Sequence, residues 1–104
     1  MCPYDAQIDR IKQQIMQKYS PKDIFLFGSC ACGIVSGHSD IDICIVIDTD
    51  NKRKLASDIQ LEIESDIDVD IVVYTPNEWE KYKDEQSSFA HIIYKKGVSL
   101  IDRH

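Results

Sequence analysis

The amino-acid sequence predicts an α+β fold, in which helices flank a small mixed β-sheet of three or more strands. Short apolar runs alternate along the chain with segments whose apolar residues recur every three or four positions. Clusters of glycine, proline and small polar residues separate these segments. Alternating elements of both kinds imply a sheet covered by helices. The 104 residues suit a single domain that spans residues 1–104.

The first half of the chain predicts a helix, a strand and a tight turn. Apolar residues at helical spacing predict an amphipathic helix over about residues 5–19, and Pro21 stops it. The apolar and aromatic run at 23–27 is typical of a buried strand, which Gly28 ends. The small residues at 29–34 are consistent with one helical turn.

The second half begins with the clearest strand, over residues 40–47. Isoleucines occupy one face of this strand, and aspartate, cysteine and valine occupy the other. The remaining predicted elements are a helix at about 51–64, a strand at 67–74, a helix that starts at a capping box over Thr75–Glu78, a last helix closed by Gly97, and a short tail strand at 98–101.

Composition argues against several classes of protein. The net charge of -6 argues against a broad basic surface for nucleic acid, so nucleic-acid binding is not expected. The sequence has no apolar run of membrane-spanning length and no secretory signal pattern, which favours a cytoplasmic protein. The cysteines are expected to be reduced and structural; they are Cys2, Cys30, Cys32 and Cys44.

Three aspartates on two strand-like runs are the main candidate site residues. Asp40 and Asp42 lie two residues apart in one strand, so their side chains project from the same face. Asp70 lies on the corresponding face of the next predicted strand. If the two strands are neighbours, the three carboxylates meet. Carboxylates held close together need a cation, and oxygen ligands suit magnesium. An alternative is that these aspartates only protect strand edges from aggregation.

A Gly-Ser turn precedes the aspartates and offers a place for a phosphate. Gly28 lets the backbone approach an anion closely, and Ser29 supplies a hydroxyl. A helical turn that starts here would also point free N–H groups at the anion. A phosphate cradle beside a metal cage makes a coherent nucleotide site.

The ordered combination resembles the DNA polymerase β-type nucleotidyltransferase superfamily, and within it the small prokaryotic branch of minimal nucleotidyltransferases. The resemblance rests on Gly28-Ser29, a spacer of ten residues, Asp40-Ile41-Asp42 and then Asp70-Ile71-Val72, and it covers nearly the whole chain. It implies a polymerase β palm-like fold, two magnesium ions and ATP. It also implies that Asp40 and Asp42 bind the metal pair, that Asp70 helps to hold the catalytic metal and faces the acceptor hydroxyl, and that Gly28 and Ser29 hold the phosphates.

The chain departs from the family pattern in one motif, and the identity of the third carboxylate has two candidates. Cys30 and Cys32 replace two arginines of the usual Gly-Ser-Arg-Ala-Arg-Gly phrase, so a guanidinium that could pair with phosphate or a partner is missing. The side chain of Asp68 projects from the same strand face as that of Asp70, so Asp68 is the alternative third carboxylate. Asp70 is preferred because Ile-Val-Val follows it, as in the family's Asp-Leu-Val phrase.

The predicted activity is transfer of a nucleoside monophosphate, AMP, from a nucleoside triphosphate to a hydroxyl. The resemblance implies an antitoxin that adenylylates a tyrosine of a helical HEPN-type toxin ribonuclease. The alternatives are a non-enzymatic antitoxin or binding module, and the catalytic subunit of an antibiotic nucleotidyltransferase with a separate helical subunit. A nucleic-acid polymerase fits the acidic charge least. The sequence is compatible with homo- or hetero-oligomers, and no membrane partner is expected.

Overall fold

The computed structural model describes residues 5–28, 41–63 and 68–101. In chain order these residues form α1 (Asp5–Tyr19), β1 (Asp23–Phe27), β2 (Ile41–Val46), α2 (Lys52–Glu62), β3 (Val69–Tyr74), α3 (Pro76–Tyr82), α4 (Phe89–Lys96) and β4 (Val98–Ser99). The α+β prediction is confirmed. Predicted and observed elements differ only at their ends, and the predicted turn at 29–34 lies outside the described residues.

The strands of the described part form one mixed sheet in the order β3-β2-β1-β4. β2 and β3 are parallel neighbours, joined by the crossover that contains α2. β1 runs antiparallel to both β2 and β4. The side-chain amide of Gln60 on α2 donates to the carbonyl of Val69 at 2.8 Å, so the crossover helix also satisfies one backbone acceptor of β3.

Apolar side chains cover both faces of the sheet, which gives two cores. The first core packs the isoleucine face of β2 against α1 and α2, through residues that include Ile8, Ile11, Ile15, Ile43, Ile45 and Ile59. The second core lies under α3 and α4 and consists of Phe25, Cys44, Val46, Trp79, Ala90 and Ile93. β2 is therefore buried on both sides and serves as the centre of the molecule.

Side-chain caps fix where the later helices begin. Asn51 accepts a hydrogen bond from the Lys54 N–H at the start of α2. Thr75 and Glu78 form a capping box with proline in the first turn of α3, as the sequence predicts. Ser88 caps α4, and Gly97 ends it. In the described ranges, no helix has the length and apolar character needed to cross a membrane.

Candidate functional site

One rim of the sheet gathers the end of β1 and the beginnings of β2, β3 and β4. β1 ends there at Phe27, because it runs antiparallel to β2. β2 and β3 both begin there, because they are parallel. Asp42 pairs with Phe27 on one side and with Asp70 on the other. We call Gly28, Asp42 and Asp70 the carboxylate rim.

The pairing places Asp42 and Asp70 side by side on the same face of the sheet. Neighbouring strands lie about 4.8 Å apart, and paired residues project to a common face. Asp42 is half-buried, whereas Asp70 is exposed. Like-charged side chains directly opposite each other are unfavourable, and a cation bound between them would offset that cost.

Gly28 brings its backbone against the Asp42 carboxylate. Its φ of +77° lies in the left-handed region, which glycine adopts without strain. A Cβ at this position would collide with Oδ2 of Asp42 and would lie 3.2 Å from Cγ. Since no side chain fits here, the bend leaves backbone directly beside the Asp42 carboxylate.

The donor set at the rim fits a hard divalent cation, although a complete cage is not described. Within residues 5–28, 41–63 and 68–101, no group of three or more histidine, cysteine, aspartate or glutamate side chains could hold a metal ion. The third predicted ligand, Asp40, and the predicted phosphate contact, Ser29, lie outside those ranges. Two adjacent carboxylates supply the oxygen ligands that magnesium prefers. Their assignment as ligands stays a prediction.

The structure distinguishes the positions of the two candidates for the third carboxylate. Asp70 lies within β3 and in register with Asp42. Asp68 lies just before β3 and is exposed, and its backbone carbonyl accepts a hydrogen bond from the Ile41 N–H at 2.9 Å. Asp70 is thus the aspartate directly beside Asp42.

An aromatic pair next to the rim has no counterpart in the predicted site. Phe27 is the cross-strand partner of Asp42, so both side chains are on the same face. The Phe89 ring packs edge-on against Phe27, with centroids 5.5 Å apart and an interplanar angle of 84°. The strand pattern revealed Phe27 only as an apolar residue, and nothing in the sequence indicates that α4 begins beside it.

Two other reactive side chains of the described part, Cys44 and His91, have structural roles. Burial raises the pKa of the Cys44 thiol far above its ordinary value, with a smaller contribution from Asp23, so the thiol stays protonated and inert. Nδ1 of His91 lies 2.8 Å from the carbonyl oxygen of Lys83 and thus ties α4 to the end of α3. Cys30, Cys32 and His38 lie outside the described residues.

The described part of the chain thus combines a mixed sheet, two carboxylates side by side at one rim, and a glycine bend against one of them. The family model described as "Nucleotidyltransferase domain" matches residues 8–94. The chain therefore belongs to the nucleotidyltransferase domain family.

A solved structure shows the same fold. It is a candidate nucleotidyltransferase from Sulfolobus solfataricus, to which the chain is 20% identical with a TM-score of 0.58. The alignment covers 95% of this chain and 86% of the other. No match was found among curated proteins.

Proposed function

We propose that this domain transfers AMP from ATP to a hydroxyl group, with two magnesium ions bound at the carboxylate rim. The observation that carries the proposal is the register of Asp42 with Asp70, beside a glycine bend with no room for a side chain. Asp42, Asp70 and the predicted ligand Asp40 would hold the ions. When bound, the ions supply positive charge that neutralises the carboxylates and the triphosphate.

The chain's own residues would position the two reactants. The Gly28 bend and Ser29 would hold the triphosphate, since backbone can approach an anion where no Cβ intervenes. The exposed Asp70 would orient the acceptor hydroxyl and accept its proton. The acceptor oxygen then bonds to the α-phosphorus, the bond from that phosphorus to the bridging oxygen breaks, and pyrophosphate leaves.

Calorimetry with ATP and magnesium tests the metal cage. We expect Asp42→Asn to weaken magnesium-dependent ATP binding by at least tenfold, because an amide cannot replace a carboxylate as a charged ligand. Asp48→Asn is the matched control: Asp48 is an exposed aspartate beyond the opposite end of β2. Equal binding by the wild type and Asp42→Asn would remove the proposed metal site.

For the acceptor, we propose a tyrosine of a helical HEPN-type partner protein, with the domain acting as its antitoxin. The resemblance of the Gly-Ser and Asp-x-Asp pattern to minimal nucleotidyltransferases supports this choice. Exposure of Asp70 is compatible with an acceptor as large as a protein. Incubation with the product of the neighbouring gene, ATP and magnesium should add the mass of one adenylate to a tyrosine of that protein.

Neutralisation by complex formation alone is the second candidate, favoured by Cys30 and Cys32 in place of the family's arginines. The two candidates differ in their need for the carboxylates. If catalysis neutralises the partner, Asp40→Asn and Asp42→Asn should both abolish neutralisation. If binding alone does so, both variants should neutralise the partner as well as the wild type does.

A further inference from the structure

The aromatic pair, Phe27 and Phe89, extends the carboxylate rim with an apolar surface. Cβ atoms of directly opposed strand residues are about 4.5–5.5 Å apart, so the Phe27 ring begins next to Asp42. The Phe89 ring lies a further 5.5 Å from the Phe27 ring, measured between centroids. A continuous path therefore leads from the charged rim to an aromatic side chain on α4.

Phe89 is partly exposed although its ring packs against Phe27. It is 48% exposed at the first residue of α4. Helix capping does not need it, because Ser88 supplies the cap. A single exposed apolar residue means little, but this one contacts the strand residue paired with Asp42. The two rings meet nearly at right angles and are not stacked on each other, so the exposed part of the Phe89 ring is open to a planar ligand.

We propose that Phe27 and Phe89 bind the nucleobase of the triphosphate, with Phe89 as the stacking residue. This inference rests on the proposed function, in which the rim holds the triphosphate. The metal ions, the α-phosphate and the ribose would then together span the distance from the carboxylates across Phe27 to Phe89. Stacking on an aromatic ring accepts any base, because every base has a π face. The larger purines cover more of the ring, so purine nucleotides should bind more tightly than pyrimidine nucleotides.

The test uses the full chain with magnesium and two probes. The first probe is 2-aminopurine riboside triphosphate, whose fluorescence is quenched when the base stacks. The second is inorganic triphosphate, which has no base; its binding is measured by calorimetry. The variants are Phe89→Ala, which removes the ring, and Phe89→Tyr, which keeps it. Ile92→Ala is the matched control, since Ile92 is 49% exposed one turn further along α4.

The expected pattern separates the base site from the phosphate site. Phe89→Ala should weaken binding of the 2-aminopurine nucleotide by about 5- to 150-fold, the range for loss of one base–aromatic stack, and should abolish most of the quenching. Binding of inorganic triphosphate should not change. Phe89→Tyr and Ile92→Ala should both behave like the wild type.

Two outcomes would overturn the base site. One is unchanged nucleotide affinity and quenching in Phe89→Ala; the other is an equal loss of nucleotide and inorganic triphosphate binding, which indicates a structural role. Asp42→Asn distinguishes this failure from failure of the proposed function. If Asp42→Asn binds both probes like the wild type, the metal site is wrong, while selective loss in Phe89→Ala would still support the base contact.

Discussion

At the scale of single residues, the carboxylate rim depends on the absence of a side chain at Gly28. The left-handed φ and the collision of an added Cβ with Asp42 are separate constraints on the same position. The sequence identified this glycine, because a Gly-Ser turn before Asp-x-Asp has a chemical meaning. It did not identify Phe89, since a phenylalanine at helical spacing predicts packing and nothing more.

We expect Gly28→Ala to lower the free energy of unfolding by about 1–3 kcal/mol, the usual cost of a strained backbone conformation. It should also abolish magnesium-dependent ATP binding, because the new Cβ displaces the Asp42 carboxylate. Chemical denaturation and calorimetry measure the two effects. Gly97→Ala is the control: its Cβ would meet the carbonyl oxygens of Ile93 at 2.5 Å and of Leu26 at 2.9 Å, so it should destabilise the fold without displacing the Asp42 carboxylate.

Asp70→Asn should change how stability responds to magnesium. Without the ion, removing one of two adjacent like charges should raise the melting temperature slightly. In the wild type, magnesium should raise the melting temperature by mass action, since it binds only the folded rim. The variant should lose most of that increase. A melting temperature that rises with magnesium equally in both proteins would contradict the assignment of Asp70, and Asp68→Asn would then be the next variant to measure.

At the scale of elements, the helices and strands were predictable because their signals are local. Apolar spacing indicated α1, alternation indicated β2, and the Thr75-to-Glu78 capping box indicated the start of α3. The sequence could not supply strand register, which depends on contacts across the sheet. Asp70 could therefore be preferred over Asp68 only by resemblance, whereas the parallel pairing with β2 places it directly beside Asp42.

The cap of α3 should give stability a measurable pH dependence. The hydrogen bond from Lys52, at 2.7 Å, lowers the pKa of Glu78, and the Thr75 N–H contributes further. A lowered carboxylate pKa stabilises the fold above the pKa of the unfolded chain, about 4.3, and that stability is lost as pH falls through the folded-state value. Thr75→Ala should cost about 1 kcal/mol at neutral pH.

Urea denaturation between pH 3 and pH 7 measures both effects. Glu78→Gln should be less stable than the wild type at pH 7 and should approach it as the pH falls through the lowered pKa of folded Glu78, below which the carboxyl is protonated in both states. The difference should be small, because solvent screens this partly exposed pair. A difference that grows toward low pH would have the wrong sign for this account.

At the scale of the whole molecule, two cores share one central strand. Isoleucines of β2 face α1 and α2, while Cys44 and Val46 face Trp79 and α4. The sequence predicted an apolar and a mixed face for β2. It did not show which helices cover the mixed face, because that burial comes from α3 and α4, which follow α2 and β3 in the chain.

Because both cores share β2, they should unfold together. Ile59→Ala removes a fully buried side chain from the first core and should cost about 2–5 kcal/mol. Trp79 is the single tryptophan and lies in the second core, so its fluorescence reports on the opposite face. Its transition should shift to lower denaturant together with the circular dichroism signal. Leu61→Ala, on the same helix but 83% exposed, should change stability by less than about 0.5 kcal/mol.

The parallel alignment of β2 with β3 links the chemistry of the rim to the correctness of folding. If β3 were displaced by a single position, its side chains would swap faces. Asp70 would then point among the isoleucines, and Val69 or Ile71 would stand beside Asp42. The same error would thus bury a charge and separate the two carboxylates of the proposed ion site. A chain that has folded wrongly in this way should be too unstable to persist, so the register that stabilises the fold is also the one that sets the two carboxylates side by side.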